Sequence, residues 1–374
     1  MKYLHMERIP VHLTVMSPLF IGGGQALDIN KKNSVRLKGK PYLLIPDENR
    51  LITELDRLGL LDAYERFLLG PATASLGEFF AQHGMEADEY APWVSYLLEC
   101  RDDQINTLKP FIKLPDGLPY IPGSAIKGAM RTAYLAFLMK DTDRQKLLEN
   151  MTNHPTSRQA SGEEAPLRLL DLKWNKRTNQ RENDPVNDLL KGLAVSDSSP
   201  IGRDALVVAR KLDFKSTDAS QRAGRMPLLW ECLCPGTETA FHLSLDTGIF
   251  PLHRLEELKQ ALRQRHETLL ARYDAQFGED AYTPLPLPDG ALPITLGAGT
   301  GFQTKTLLYA ISDSEKVRYT AHKVLHAQFF NEFKKKGTYP VREGSSLPAP
   351  YCFKRTEYHG LYYPFGRCAI SLGD

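Results

Sequence analysis

Ile121-Pro122-Gly123-Ser124-Ala125-Ile126-Lys127-Gly128-Ala129-Met130-Arg131-Thr132-Ala133 reads as a turn that feeds a helix. Pro122-Gly123 is turn punctuation. Ser124 has the chemistry of an N-cap, because its hydroxyl can accept a bond from an orphan N–H of the first turn. Ile126, Met130, Ala133, Phe137 and Leu138 recur at helical spacing and make one apolar stripe. Lys127 and Arg131 are four apart, so both side chains leave one face near the helix start. Free N–H groups, the positive dipole end, a hydroxyl and two cations are the parts of an anion site. Gly128 sits mid-helix, where glycine costs about 1 kcal/mol against alanine, so a ligand or another element is expected close to that backbone. The plain alternative is an amphipathic core helix with two solvated cations.

Working outward, the chain has 374 residues, of which 42% are apolar. At ~100–200 residues per domain this suggests two or three domains with ample cores. There are 47 basic and 45 acidic residues, a net charge of +2. That balance excludes a polycation, so any nucleic-acid binding must come from local patches. Cys100, Cys232, Cys234, Cys352 and Cys368 are an odd, scattered set that does not form a disulfide framework. Cys232 and Cys234 lack a second ligand pair at zinc spacing and read as reduced core thiols. The N-terminus has no apolar signal core and no apolar run reaches the ~20 residues of a membrane span. A cytoplasmic protein with no membrane partner and no cofactor or metal is expected.

Val11-His12-Leu13-Thr14-Val15 alternates as a strand, and Ile21-Gly22-Gly23-Gly24-Gln25 follows as a glycine loop. Val35–Leu37 and Tyr42–Ile45 read as a hairpin. The pattern is helical over about 48–105, a helical insertion anchored by Leu51, Leu55, Phe79, Phe80, Trp93, Tyr96 and Leu97. Segments 168–172 and 193–197 read as strands, with a basic loop around Arg177 between them. Residues 205–210 are a strand, followed by a polar stretch from Lys211 to Arg225. Segments 228–234 and 239–245 pair naturally around Pro235-Gly236. Residues 252–273 are a strong helix, 284–293 a proline-rich linker, 315–336 a second helix and 367–372 a closing strand. Strands and a few helices in each half suit an α+β architecture, with a boundary near residue 200 separating units 1–200 and 201–374.

Gly297-Ala298-Gly299-Thr300-Gly301-Phe302 has glycines at i, i+2 and i+4, which misses both the dinucleotide fingerprint and the P-loop spacing. Alternate glycines clear one edge of an extended loop, so a phosphate backbone can meet peptide N–H groups. Lys305 is a phosphate partner and Phe302 a stacking platform on that reading. The alternative is a turn that requires positive φ. Ser124-Ala125-Ile126-Lys127 also matches the Ser-x-x-Lys of serine-acylating enzymes, but Ser196-Asp197-Ser198 and Lys305-Thr306 only approach their other two motifs. Asp28 is the one acid placed to reach a phosphate at the first glycine loop. His12 and His242 lie on strands, and no cluster of carboxylates and histidines announces a catalytic centre.

The stretch 121–131 resembles the Pro-Gly-Ser-x-hydrophobic-Lys-Gly-x-hydrophobic-Arg segment of the CRISPR-associated RAMP superfamily. Leu296–Phe302 is similar to that superfamily's C-terminal glycine-rich loop, and Pro18–Gly24 to its opening strand-to-loop segment. Val195-Ser196-Asp197-Ser198 also fits. Within the superfamily, length and element order are most similar to the family of fifth Csm subunits of type III-A effector complexes. The resemblance implies two ferredoxin-like, RRM-related domains, a helical insertion in the first, and a non-catalytic subunit that binds crRNA at its 3′ end and supports its maturation in antiviral defence. It implies neighbouring RAMP backbone and small subunits as partners, with host ribonucleases trimming the guide. Carried over by position, Ser124, Lys127 and Arg131 meet crRNA phosphates, with Arg210 and Lys211 as groove walls. Gly22, Gly23, Gly24, Gln25, Gly297, Gly299 and Gly301 admit the RNA backbone, beside Phe302 and Lys305. The alternative is a RAMP endoribonuclease, or another backbone subunit that cuts RNA itself.

Overall fold

The alternation at residues 11–15 extends back to Met6 and builds β1 (Met6–Val15), a ten-residue strand at the centre of the first sheet. Val11, Leu13 and Val15 are fully buried on one face, whereas Pro10 and His12 are exposed on the other. This period of two is what a half-buried strand requires. The structure is a computed structural model, and it describes residues 5–24, 28–71, 73–85, 92–102, 105, 107–155, 165–182, 184–216, 218–222, 228–278, 281–311, 315–328, 349–350 and 352–373.

The further strands are β2 (Val35–Arg36), β3 (Tyr42–Pro46), β4 (Val94–Glu99), β5 (Leu108–Lys109), β6 (Trp174–Asn175), β7 (Gln180–Arg181) and β8 (Leu193–Val195). They continue as β9 (Leu206–Lys215), β10 (Asp218–Arg222), β11 (Leu228–Leu233), β12 (Glu238–Asp246), β13 (Leu292–Thr295), β14 (Cys352–Tyr358), β15 (Leu361–Tyr363) and β16 (Arg367–Leu372). The helices are α1 (Glu48–Arg57), α2 (Leu61–Leu69), α3 (Leu76–Gln82), α4 (Gly123–Leu138), α5 (Asp141–Asn153), α6 (Leu252–Arg272), α7 (Leu308–Ile311) and α8 (Glu315–Gln328).

The first sheet has the order β13-β16-β1-β12-β8, antiparallel at every pairing. Helices α4 and α6 pack on each other and against β8 and β13, covering its apolar face. Ile126, Met130, Ala133 and Tyr134 of α4 meet Leu255, Leu258, Ala261 and Leu262 of α6 in one buried cluster. Each buried Leu or Ile there contributes about 1.5–3 kcal/mol relative to exposure. The Tyr134 hydroxyl donates to Glu257 Oε2 at 2.7 Å and pins the two helices together. The second sheet runs β15-β14-β9-β4-β3-β2, with β10 and β11 also on β9. Helices α1 to α3 close a satellite core over β2 and β3, built on Leu51, Leu55, Leu76, Phe79, Phe80 and Trp93.

The α+β class therefore holds, and several local expectations change. The helical pattern stops at Gln82, and 94–99 is β4, antiparallel to β3. Short apolar runs do not distinguish strand from helix by spacing, and here β3 needs a ladder partner. Segments 228–234 and 239–245 do not form a hairpin. β11 pairs with β9 and β5, β12 pairs with β1 and β8, and Pro235-Gly236 carries the chain between sheets. Burial gives the reason: Leu229 to Leu233 are all buried, as in an interior strand, whereas β12 alternates. Lys211 and Lys215 belong to β9 rather than to a polar loop. Segment 168–172 forms only an isolated bridge, Arg168 to Asp188. Each sheet takes strands from both sides of residue 200, so the division at that point does not separate the sheets. Helix α8 is described to Gln328, and the rest of the expected 315–336 helix lies outside the described residues. Cys100, Cys232, Cys234 and Cys368 form no disulfide. Among the described residues, no helix is long and apolar enough to cross a membrane.

Candidate nucleic-acid interface

Helix α4 begins at Gly123, and its N-cap is Pro122, with φ −62° and ψ 132°. Ser124 is thus the second helical residue, exposed, and does not cap the helix. The orphan Gly123 N–H donates to Asp197 Oδ1 at 2.8 Å. The anion at this helix start is therefore the chain's own carboxylate, favoured by the dipole. The Ile121 N–H donates to Ser198 Oγ at 2.9 Å, and the Ser198 N–H donates to the Ile121 carbonyl at 2.9 Å. A Cβ on Gly123 would collide with the Val195 carbonyl and lie 2.6 Å from the Ser196 carbonyl. Only glycine permits that approach. The two sequence motifs, 121–131 and 195–198, thus form one joint. Ser196 Oγ accepts from the His242 N–H at 2.9 Å and ties the joint to β12.

The cations of α4 turn inward. Lys127 Nζ donates to the carbonyls of Leu190 at 2.9 Å and Leu193 at 2.6 Å. Burial pushes its ammonium below the usual lysine range, with Asp188 opposing and Arg131 adding to the shift. Arg131 Nη2 donates to Asp188 Oδ2 at 2.7 Å, an oxygen that Arg168 also holds. The alternative of two solvated cations does not hold: both brace α4 against residues 188–193. The same contacts leave Ser124 without a lysine base, so the acylating arrangement is not formed. Gly128 is exposed, and a Cβ there would meet nothing within 4 Å. Tight packing is not the reason for that glycine.

The two glycine loops lie side by side. The Ala298 N–H donates to the Phe20 carbonyl at 2.8 Å, and the Gly366 N–H to the Pro18 carbonyl at 3.0 Å. Gly297, Gly299 and Gly301 have φ of 79°, 77° and 94°, the left-handed region that favours glycine. A Cβ on Gly297 would strike the Phe20 carbonyl, and one on Gly299 would lie 2.6 Å from Trp230 and 2.8 Å from Phe365. These rings form a buried stack, with Phe20 and Trp230 centroids 4.4 Å apart. The pro-side-chain directions of Gly297 and Gly299 therefore face the core. Gly22 and Gly24 are exposed, and Gly24, at φ 70°, has open space around it. Gly23 lines a cavity of about 290 Å³ beside Tyr96 and Lys113. Gln25 lies outside the described residues.

Phe302 is half-buried against the cluster of Phe214, Tyr273 and Phe353, and Lys305 is exposed. Arg210 and Lys211 lie on the other sheet. Arg210 Nε donates to Asp102 Oδ1 at 2.6 Å, and Lys211 Nζ donates to Asp213 Oδ2 at 2.9 Å. Both oxygens of Asp28 accept from Lys109 Nζ, at 2.8 and 2.7 Å. Among the described residues, no group of three or more His, Cys, Asp or Glu could hold a metal ion. Sequence reading passed over Glu231, a fully buried carboxylate beneath the first glycine loop. It accepts from the Tyr96 hydroxyl at 2.5 Å, the Phe111 N–H at 2.7 Å and Lys113 Nζ. Its one signal was a lone charge inside the apolar run Leu228–Leu233.

The family model of the RAMP superfamily matches residues 12–346. A Mycobacterium tuberculosis (strain H37Rv) protein named CRISPR system Cms protein Csm5 is 28% identical over 270 residues, covering 72% of this chain and 67% of that protein. The protein of the same name in Streptococcus thermophilus is 24% identical over 330 residues, 83% of each chain. A chain of the cryo-EM structure of a type III-A Csm–crRNA–target RNA ternary complex superposes with a TM-score of 0.65 at 19% identity, covering 97% of this chain and 100% of that one. The crystal structure of T. onnurineus Csm5 gives 0.59 at 19% identity, covering 96% and 99%. The family model spans residues 12–346, most of the chain, and the chain belongs to the RAMP superfamily.

Proposed function

We propose that this chain is a non-catalytic, crRNA-binding subunit of a type III-A CRISPR effector complex, where it caps the 3′ end of the guide and supports its maturation. The observation that carries this reading is the match along residues 12–346, joined to a superposition that spans nearly the whole chain. The first sheet supports the ferredoxin-like part: β1, α4, β8, β12 and α6 follow a split β-α-β order, and β16 takes the fourth place beside β1. Neighbouring Csm-type subunits and crRNA are the partners on this reading. Guide contact falls to the groups left open: Gly22 and Gly24, Ser124, Gly128 and Lys305. Lys127 and Arg131 act behind Ser124 and Gly128, fixing the helix that presents those two. Such contacts address phosphate and backbone rather than base edges, which suits guides of differing sequence.

The test is RNA binding by the purified chain across a salt series, with two unrelated guide sequences. Lys305→Ala is expected to weaken both equally and to lower the salt slope by about one. A loss confined to one sequence sinks the phosphate reading. Cleavage of labelled RNA that disappears in Asp28→Ala would establish the endoribonuclease instead. The Lys109 ammonium on both Asp28 oxygens argues against that base.

A further inference from the structure

Helix α2 is apolar on two opposite sides. Its inner side carries Ala63, Tyr64 and Phe67, which pack on the satellite core. The Tyr64 and Phe67 rings lie 5.6 and 5.1 Å from the Phe79 ring. Lys32 Nζ donates to the carbonyls of Leu68 at 2.7 Å and Gly70 at 2.8 Å, which fixes the C-terminal end. The helix is thus firmly seated, yet none of its nine residues is buried. Leu61 is 37% exposed, Leu68 46% and Leu69 81%. At about 100° per residue these three leucines and Glu65 share one stripe, opposite Ala63 and Phe67. Leu58, at the end of α1, and Ile52, on α1, are exposed as well. Of the fourteen large apolar side chains exposed among the described residues, five therefore fall within 52–69. Single exposed leucines are ordinary, whereas a cluster on one helix side marks a contact surface.

The charges decide what kind of partner fits. Glu65 lies inside the stripe and Asp62 beside Leu69 along its edge, and both are exposed. Asp56 adds a third exposed carboxylate in the last turn of α1. Of the nearby cations, Lys32 is occupied by the two carbonyls, Arg57 Nη2 is held by Glu54 Oε1 at 2.6 Å, and Arg66 turns toward the flank of α2. Carboxylates among leucines repel phosphate, which disfavours a guide RNA or an anionic lipid surface here. A two-fold pair of copies would set this side against itself and bring its carboxylates together. Leu61 and Leu68, two turns apart with Leu69 beside them, have the spacing of a helix laid in a protein groove. The complement is a protein surface that is apolar in the middle and basic at its rim.

We propose that the outer side of α2 seats in an apolar groove, rimmed by lysine or arginine, on a neighbouring protein subunit of the effector complex. The inference rests on the reading of the chain as a subunit of that complex. The test titrates the purified chain onto the complex assembled on crRNA without it, read by biolayer interferometry. Leu68→Lys/Leu69→Lys keeps helix propensity nearly constant while it removes two apolar anchors and repels a basic rim. It is expected to weaken binding about tenfold or more, the scale of lost anchor side chains. Melting temperature and the gel shift of free crRNA are expected to stay at their wild-type values. Should the lysine pair lower the melting temperature, Leu69→Ser, at the most exposed of the three positions, repeats the measurement. Asp62→Lys/Glu65→Lys is expected to weaken binding about threefold at low salt and less at high salt, because exposed charges are screened. Wild-type affinity in the leucine variants, or in the charge-reversed variant at low salt, overturns the proposal. A free chain that elutes at twice its mass, and as a monomer in Leu68→Lys/Leu69→Lys, overturns it in favour of a second copy. Failure of the wild-type chain itself to bind sinks the subunit reading beneath it, whereas equal binding by wild type and leucine variants sinks the docking surface alone.

Discussion

The start of α4 and the loop 297–301 both carry the glycines and cations of a phosphate-binding signature, and the structure uses them differently. In the loop, Gly297 and Gly299 direct their missing side chains at the protein, over Phe20, Trp230 and Phe365. In α4, Gly123 is closed by residues 195–196, whereas Gly128 is open to solvent. The cations of α4 are occupied by Asp188 and two carbonyls, whereas Lys305 beyond the loop is exposed. The same residue type in a motif therefore serves either internal close approach or an outer surface. Only the neighbour that each one meets tells which.

Three substitutions break or sharpen that comparison. The largest effect is expected for Gly297→Ala, which forces both a left-handed φ and a collision with the Phe20 carbonyl. Overpacking and backbone strain together cost about 3 kcal/mol or more, read as a lower denaturation midpoint at unchanged slope. Retained stability would show that the loop shifts freely and faces outward. Lys127→Ala comes next. It strips two buried carbonyls of their donor, and a loss of about 1–3 kcal/mol is expected by chemical denaturation. A variant of wild-type stability with weakened RNA binding would move Lys127 from brace to phosphate contact. The smallest effect is expected for Gly128→Ala, a gain of about 1 kcal/mol in stability, because a better helix former enters open space. If RNA backbone approaches there, the same variant binds RNA more weakly while melting higher.

Periodicity made α4, α6 and β1 legible, since 3.6- and 2-residue spacings report a buried face directly. The positive φ of Gly297, Gly299 and Gly301 was also readable, as the alternative to an RNA-facing edge. The fate of Ser124, Lys127 and Arg131 was not. Their surroundings are set by Asp197, Leu190, Leu193 and Asp188, which lie 57 or more residues away along the chain. Nothing in local spacing announces such partners. The hairpin expected around Pro235-Gly236 failed for a related reason: a turn dipeptide specifies a reversal of the chain, and the choice of ladder partner depends on which layer buries each strand.

Composition, periodicity and motif order were sufficient to define an α+β chain of the RAMP kind with a cation-bearing helix between two glycine loops. Those properties are local or additive along the chain. Pairing of strands across the two sheets, capping of α4 by Asp197 and the seating of Arg265 on the carbonyls of Gln303 and Thr306 came only with tertiary structure. Each depends on desolvation and on distance between residues far apart in sequence, which the folded packing alone sets.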